Sequence, residues 1–132
     1  MGKTCLLDTN TAVYYLNASL SEKALDFVEE ILNDTGSHIS IITKIELLGW
    51  SAPNAHDLQQ VAQFVKDSTV IPLTDAIADM AISIRRKQKI KLPDAVIAAT
   101  ALEYGYTLIS RNDADFRNIP GLLYLNPFTD IL

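Results

Sequence analysis

Short apolar runs alternate with longer stretches of helical spacing from one end of the chain to the other. Thr4-Cys5-Leu6-Leu7 is stopped at once by Asp8-Thr9-Asn10, the pattern of a buried strand that ends in a turn and a helix cap. Ser21 is placed to cap a helix to about Asn33, where Ala24, Leu25, Val28, Ile31 and Leu32 recur at helical spacing before the stop Asp34-Thr35-Gly36. The β-branched run His38 to Ile42 predicts a second strand, and Thr43 to about Trp50 a helix that Pro53 ends. Leu58, Val61, Ala62 and Val65 share one face of a helix over Asn54 to Lys66. Thr69 to Leu73 reads as a short strand, and Pro72 places it at an edge or a strand end. Thr74 caps a helix with Ile77, Met80, Ala81 and Ile84 inward, and Pro93 suits the first turn of another that runs to Tyr104 and closes at Gly105. Thr107 to Ser110 is the next strand, Arg111 to Phe116 a polar turn, and Leu122 to Leu125 the last strand.

Strand alternating with helix predicts an α/β fold: right-handed crossovers, a mostly parallel sheet of about five strands, and helices on both faces. With 132 residues and 48% apolar content, one domain over residues 1–132 is expected. The balance of 16 acids against 11 Lys and Arg, a formal charge of −5, argues against coating nucleic acid by bulk electrostatics but leaves room for a local basic patch. A single cysteine, Cys5, has no partner for an intrachain disulfide, so a reducing, cytoplasmic setting is expected. The apolar run before Asp8 is too short for a signal-peptide core, and Leu6 stands where a myristoylation signal needs Ser or Thr. The run Ala95 to Leu102 is far below the roughly 18 residues of a membrane span, so no membrane association is expected.

Ligands of an open parallel sheet bind at the carboxyl ends of its strands. Four acids far apart in sequence fall on that edge: Asp8, Glu46, Asp94 and Asp113. Each also has a structural explanation. Asp8 or Asn10 can cap the helix that follows. Thr43-Lys44-Ile45-Glu46 has the spacing of a capping box. Asp94 suits the positive end of its helix dipole, although the small face made with Ala98 and Ala101 would also bring that helix close to the sheet. Asp113 and Asp115 are ordinary turn formers, and Asp113 is preferred as the fourth acid because it lies nearer the strand end.

Carboxylates that converge repel one another, which raises their pKa values or draws in a cation. Oxygen ligands favour the hard ions Mg2+ or Mn2+, which can activate water and neutralise a phosphodiester. Zinc is disfavoured, because His38 and His56 have no ligand-like spacing to Cys5 or to each other.

The motifs Leu6-Leu7-Asp8-Thr9-Asn10, Thr43-x-x-Glu46, Leu92-Pro93-Asp94-Ala95 and Ser110-Arg111-Asn112 through Asp115-Phe116 stand in order across essentially the whole chain. Together they resemble the PIN-domain ribonucleases, specifically the VapC-type toxins of toxin–antitoxin pairs. The resemblance implies a PIN-like three-layer α/β/α sandwich. It further implies a metal-dependent endoribonuclease that hydrolyses RNA with an activated water, is held inactive by a small cognate antitoxin, and is commonly a homodimer. Carried over residue by residue, Asp8, Glu46 and Asp94 match the family's three acids, and Asn10 and Ser110 match polar positions near the metal, with Thr43 beside them. The last motif departs from a simple Asp-x-Asp-Phe pattern: Asn112 stands where many relatives have the fourth acid, and an extra residue precedes Asp115. The fourth ligand is therefore Asp113, Asp115 or neither.

Arg85, Arg86, Lys87, Lys89 and Lys91 directly precede Asp94. Cations at a helix C-terminus complement its dipole. With Arg111, Arg85 and Arg86 are also candidates for substrate phosphates. A phosphoacceptor signalling domain lacks its aspartate–lysine pair here, a dinucleotide enzyme lacks Gly-x-Gly-x-x-Gly, and a non-catalytic PIN-like binding module is opposed by the intact Asp8, Glu46 and Asp94.

Overall fold

Strands β1 (Cys5–Leu7), β2 (His38–Ser40), β3 (Thr69–Ile71), β4 (Thr107–Ile109) and β5 (Leu123–Leu125) form one all-parallel sheet in the order β3-β2-β1-β4-β5. The computed structural model describes residues 3–51 and 54–131, so Pro53 and the helix end expected there lie outside the described residues. Helices α1 (Thr9–Leu16), α2 (Glu22–Asp34), α3 (Ile41–Leu48), α4 (Ala55–Asp67), α5 (Asp75–Lys87), α6 (Leu92–Tyr104) and α7 (Asp113–Phe116) connect the strands. The chain is thus a PIN-like α/β/α sandwich with a five-stranded sheet.

Side chains of a strand alternate between faces, and two cores follow from that period. Leu6 and Leu108 point to one side, where they meet Ile77, Ile84 and the buried run Ala95 to Ala99 of α5 and α6. Cys5, Leu7 and Ile109 point to the other, against Ala12, Ile31, Leu47, Val61 and Val65 of α1 to α4. α6 is apolar on nearly every face and packs against α5, β2 and β4. Pro93 opens it, and Gly105, at φ +67°, closes it in the left-handed conformation that glycine adopts without strain. Ser21 and Thr74 cap α2 and α5 as their spacing predicts, and β3 lies at the sheet edge that Pro72 implied.

Two local expectations are corrected. The second strand stops at Ser40, whose Oγ accepts from Ile42 N at 3.1 Å and caps α3. Ile41 and Ile42 have the side chains of a strand, but the buried serine ends the ladder and tertiary packing overrides propensity. Thr43 is therefore inside the helix, and the Thr43–Glu46 capping box does not form. The polar turn after β4 contains the single helical turn α7, capped by Asn112 and anchored in the core by the fully buried Phe116.

Candidate active site

β1 sits at the centre of the sheet, with β2 and β3 to one side and β4 and β5 to the other, so the strand order reverses at the β1–β4 pair. A crevice forms at such a reversal, beyond the carboxyl ends of the two strands. Asp8 leaves β1 there and Ser110 leaves β4.

Asp8 is 5% exposed, and its Oδ1 accepts from Thr11 N at 2.8 Å, so it caps α1. Its backbone N–H and the Thr11 hydroxyl both donate to Ile109 O, at 3.2 and 3.1 Å, which ties the start of α1 to the end of β4. Burial holds the Asp8 carboxyl above the usual carboxylate range, against hydrogen bonds from Ser110 and Thr11, and the charge of Glu46 adds to the rise. Cap and site residue are here one side chain, because the first strand ends where the crevice begins.

Asp94 is half-buried in the first turn of α6 and feels the other acids. Its carboxyl is pushed up to about 6 by burial, then by the charges of Asp115 and Asp8, a hydrogen bond with Asp115, and the charge of Glu46. Asp115 is held in place by Asn112, whose Nδ2 donates to Asp115 Oδ2 at 2.9 Å and whose Oδ1 accepts from Asp115 N at 3.3 Å. Asn112 N in turn donates to Ser110 Oγ at 2.9 Å. A hydrogen-bonded chain Ser110–Asn112–Asp115 thus runs from the end of β4 to α7.

Asp113 is not brought to this group. Its Oδ1 accepts from Tyr124 Oη at 2.6 Å, Asn126 Nδ2 at 3.1 Å and Arg117 Nη2 at 3.2 Å, and these donors, Tyr124 foremost, hold its carboxyl below the usual range. Proximity to the strand end favoured Asp113. Helix favours Asp115, because residues two apart on a helical turn face opposite sides.

Glu46 is exposed on α3, and its Oε1 accepts from Thr9 Oγ1 at 2.6 Å. The same hydroxyl lies 3.0 Å from Oγ1 of the buried Thr43. Thr9, which neither charge nor spacing singled out, therefore couples the end of β1 to α3. The signal available for it was its place beside Asp8.

Among the described residues, the ion pairs are those of Arg117 with Asp113 and Asp130, so Asp8, Glu46, Asp94 and Asp115 have no cationic partner there. No three His, Cys, Asp or Glu side chains of the described residues are drawn around one metal-sized point. The donor set nevertheless fits a hard divalent cation: oxygen ligands only, like charges that add to the rise of Asp94 and Asp8, and no ion pair to release.

The remaining candidates are dispersed. Asn10 is exposed on the first turn of α1, and Ser110 is buried beside Asp8. Arg85 and Arg86 are exposed at the end of α5, where Arg85 Nε donates to Ile90 O at 3.3 Å. The Arg111 guanidinium lies 4.3 Å from the Phe128 ring centroid and 5.9 Å from that of Tyr14. His38 packs edge-on against Tyr106, at 5.3 Å. Next to the acids a cavity of about 280 Å³ opens between α1, α3 and α4, lined by Thr9, Glu46, Val13, Leu16, Trp50 and Val61 among others.

The PIN-domain family model matches residues 5–122, a span that contains Asp8, Glu46, Asp94 and Asp115. The chain belongs to the PIN-domain family. Among solved structures, a chain of a toxin–antitoxin complex from Klebsiella pneumoniae is 30% identical, with a TM-score of 0.76 over 94% of this chain and 98% of that one. A chain of DNA-bound VapBC from Salmonella typhimurium is 23% identical, with a TM-score of 0.79 over 96% and 99%. One of FitAcB from Neisseria gonorrhoeae is 22% identical, with a TM-score of 0.75 over 95% and 99%. The likeness to the last two is one of fold. No curated protein sequence matches the chain. For this PIN domain the motifs, the sandwich and the relatives agree with the VapC-type resemblance. No helix among the described residues is long and apolar enough to cross a membrane.

Proposed function

We propose that this PIN domain is a divalent-cation-dependent endoribonuclease toxin, neutralised by a small antitoxin protein. The observation that carries the chemistry is a set of four carboxylates at the crevice, Asp8, Glu46, Asp94 and Asp115, with no ion pair among the described residues to balance them. RNA as substrate comes from the VapC-type resemblance.

Asp8, Asp94 and Asp115, with Glu46, are the residues that would hold Mg2+ or Mn2+. When bound, the ion supplies a water of lowered pKa and neutralises the phosphodiester under attack. Asp8 is fixed by its cap, and Asp94 by the rigid, buried helix behind it, so both donors are preorganised. Thr9 keeps Glu46 turned to the crevice, and Asn112 keeps Asp115 against Asp94. Arg85, Arg86 and Arg111 are the side chains for RNA phosphates, where a few cations serve although the whole chain is acidic.

The groove between α1, α3 and α4 is the place for the antitoxin. It is lined by Val13, Leu16, Leu47, Trp50 and Val61, with Trp50 half exposed, and it borders Glu46, so an apolar helix seated there would cover the crevice as well. The solved relatives include a toxin–antitoxin complex, which supports an antitoxin as partner. The resemblance also implies a homodimer, for which Leu73 and Ile82, each about half exposed beside and on α5, supply apolar surface.

The test is cleavage of matched RNA and single-stranded DNA in Mg2+ or Mn2+. Internal cuts in RNA that are suppressed by the co-purified antitoxin are expected. A chain that binds its antitoxin and the cation but cuts no RNA would instead be a binding module.

A further inference from the structure

Residues 126–130, beyond β5, fold into a turn closed on itself: Asp130 N donates to Asn126 O at 2.9 Å, and Asn126 N to Asp130 Oδ2 at 2.8 Å. From β5 and this turn the chain reaches back to α7. Tyr124 Oη, Asn126 Nδ2 and Arg117 Nη2 all converge on one atom, Asp113 Oδ1. Arg117 also lies 2.9 Å from Asp130 Oδ2, with its guanidinium 4.9 Å from the Tyr124 ring centroid.

Solvent-accessible ion pairs contribute little to stability one at a time, and both pairs of Arg117 are partly exposed. Three donors on one oxygen, one of them a half-buried tyrosine, fix a geometry instead. α7 needs that help, because a helix of four residues cannot hold itself. Its other ties are Phe116 in the core, the Asn112 cap, and Gln88 Nε2, which donates to Asp115 O at 2.9 Å. Asp115 rides on the same turn, two residues from Asp113 and facing the other side.

We propose that Asp113 is a positioning residue: with Tyr124, Asn126 and Arg117 it locks α7, and the lock sets Asp115 against Asp94 at the cation site. The proposal rests on the cation-dependent reading of that site. It explains why this chain has an acid at position 113 that points away from the crevice, and it gives the turn after β5 a part in the site.

Calorimetric Mn2+ titration of the full chain tests it, with the wild type, Tyr124→Phe, Asp113→Ala, Asp113→Asn, Asp115→Asn and the double variant Tyr124→Phe/Asp115→Asn. Tyr124→Phe keeps the ring and removes the hydroxyl, which lies 2.6 Å from Asp113 Oδ1 and 3.0 Å from Ser110 O, so Asp113→Ala is the variant that isolates the lock from the Ser110 contact. Tyr124→Phe should weaken Mn2+ binding by about tenfold, the loss usual when a partner that orients a ligand is removed. Asp113→Ala should do the same and Asp113→Asn, which keeps an acceptor, should recover part of the affinity. In the Asp115→Asn background the Tyr124→Phe effect should vanish, and RNA cleavage by Tyr124→Phe should fall in kcat with KM unchanged. Unchanged Mn2+ affinity in Asp113→Ala would overturn the positioning role whatever Tyr124→Phe does, as would an equal loss with and without Asp115. A wild type that binds no Mn2+ would overturn the cation reading and the proposal with it.

Discussion

Thr9 donates a 2.6 Å hydrogen bond to Glu46 across 37 positions of sequence, and its oxygen lies 3.0 Å from the Thr43 hydroxyl. One small side chain thereby aims an exposed glutamate from the strand end that carries Asp8. Thr9→Val keeps the shape and removes the donor. Cleavage by this variant should fall about tenfold in kcat with the RNA KM unchanged, since only the aim of Glu46 is lost. Steady-state kinetics check this, and a rise in KM alone would place Thr9 in substrate binding.

Asp94, raised from 3.8 to about 6 in the folded chain, sets a pH dependence of stability. Between these values the folded state binds more protons than the unfolded one, so the contribution is full below about 4 and is lost as pH rises through 6. In EDTA at pH 7.5 Asp94→Asn should therefore melt about 2–5 °C above the wild type, on the order of 1 kcal/mol once solvent screening of a half-exposed group is allowed for. The difference should shrink to nothing by pH 4. Excess Mg2+ should raise the melting temperature of the wild type and leave the variant unmoved. Melting curves at the two pH values decide it, and a less stable Asp94→Asn in EDTA at pH 7.5 would contradict a carboxylate destabilised by burial and by its acidic neighbours.

Strands β1 and β4, helix α6 and the all-parallel sheet were legible because buried runs and Gly and Pro stops are local signals. The boundary at Ser40 was not, since Ile41 and Ile42 have strand propensity and only burial of the serine turns them into a helix. Asp8, Glu46 and Asp94 could be placed at the sheet edge from order alone. The choice between Asp113 and Asp115 could not, because it depends on whether residues 113–116 form a turn or a helix and on Tyr124 and Asn126, eleven and thirteen positions downstream of Asp113. Thr9 escaped because its partner is distant in sequence and carries no periodicity.

Arg85→Glu/Arg86→Glu should weaken RNA binding and flatten its dependence on salt by about two phosphate contacts, since each cation that neutralises a phosphate adds about 0.9 to the slope on a duplex and about 0.7 on a single strand. Binding isotherms from 50 to 200 mM salt measure the slope. An unchanged slope would leave the two arginines as partners of the α5 dipole.

Trp50 is the single tryptophan of the chain and lines the groove beside Glu46. Seating an apolar antitoxin helix there should bury its half-exposed indole and shift its emission to the blue. Val13→Asp, on the same wall, should weaken antitoxin binding by at least about tenfold, the cost of an unpaired charge in an apolar contact. Emission that stays constant on forming a tight complex would place the antitoxin elsewhere.

RNA cleavage followed in Mg2+, after chelation with EDTA, and after Mg2+ is restored tests the site most directly, with Asp8→Asn and Asp94→Asn in parallel. Asp8→Asn retains an oxygen to cap α1, so its fold should persist. The wild type should cut, stop in EDTA and resume on restoration, while both variants remain folded and fall by at least about a hundredfold. Cleavage that survives EDTA, or equal activity in all three proteins, would contradict the account.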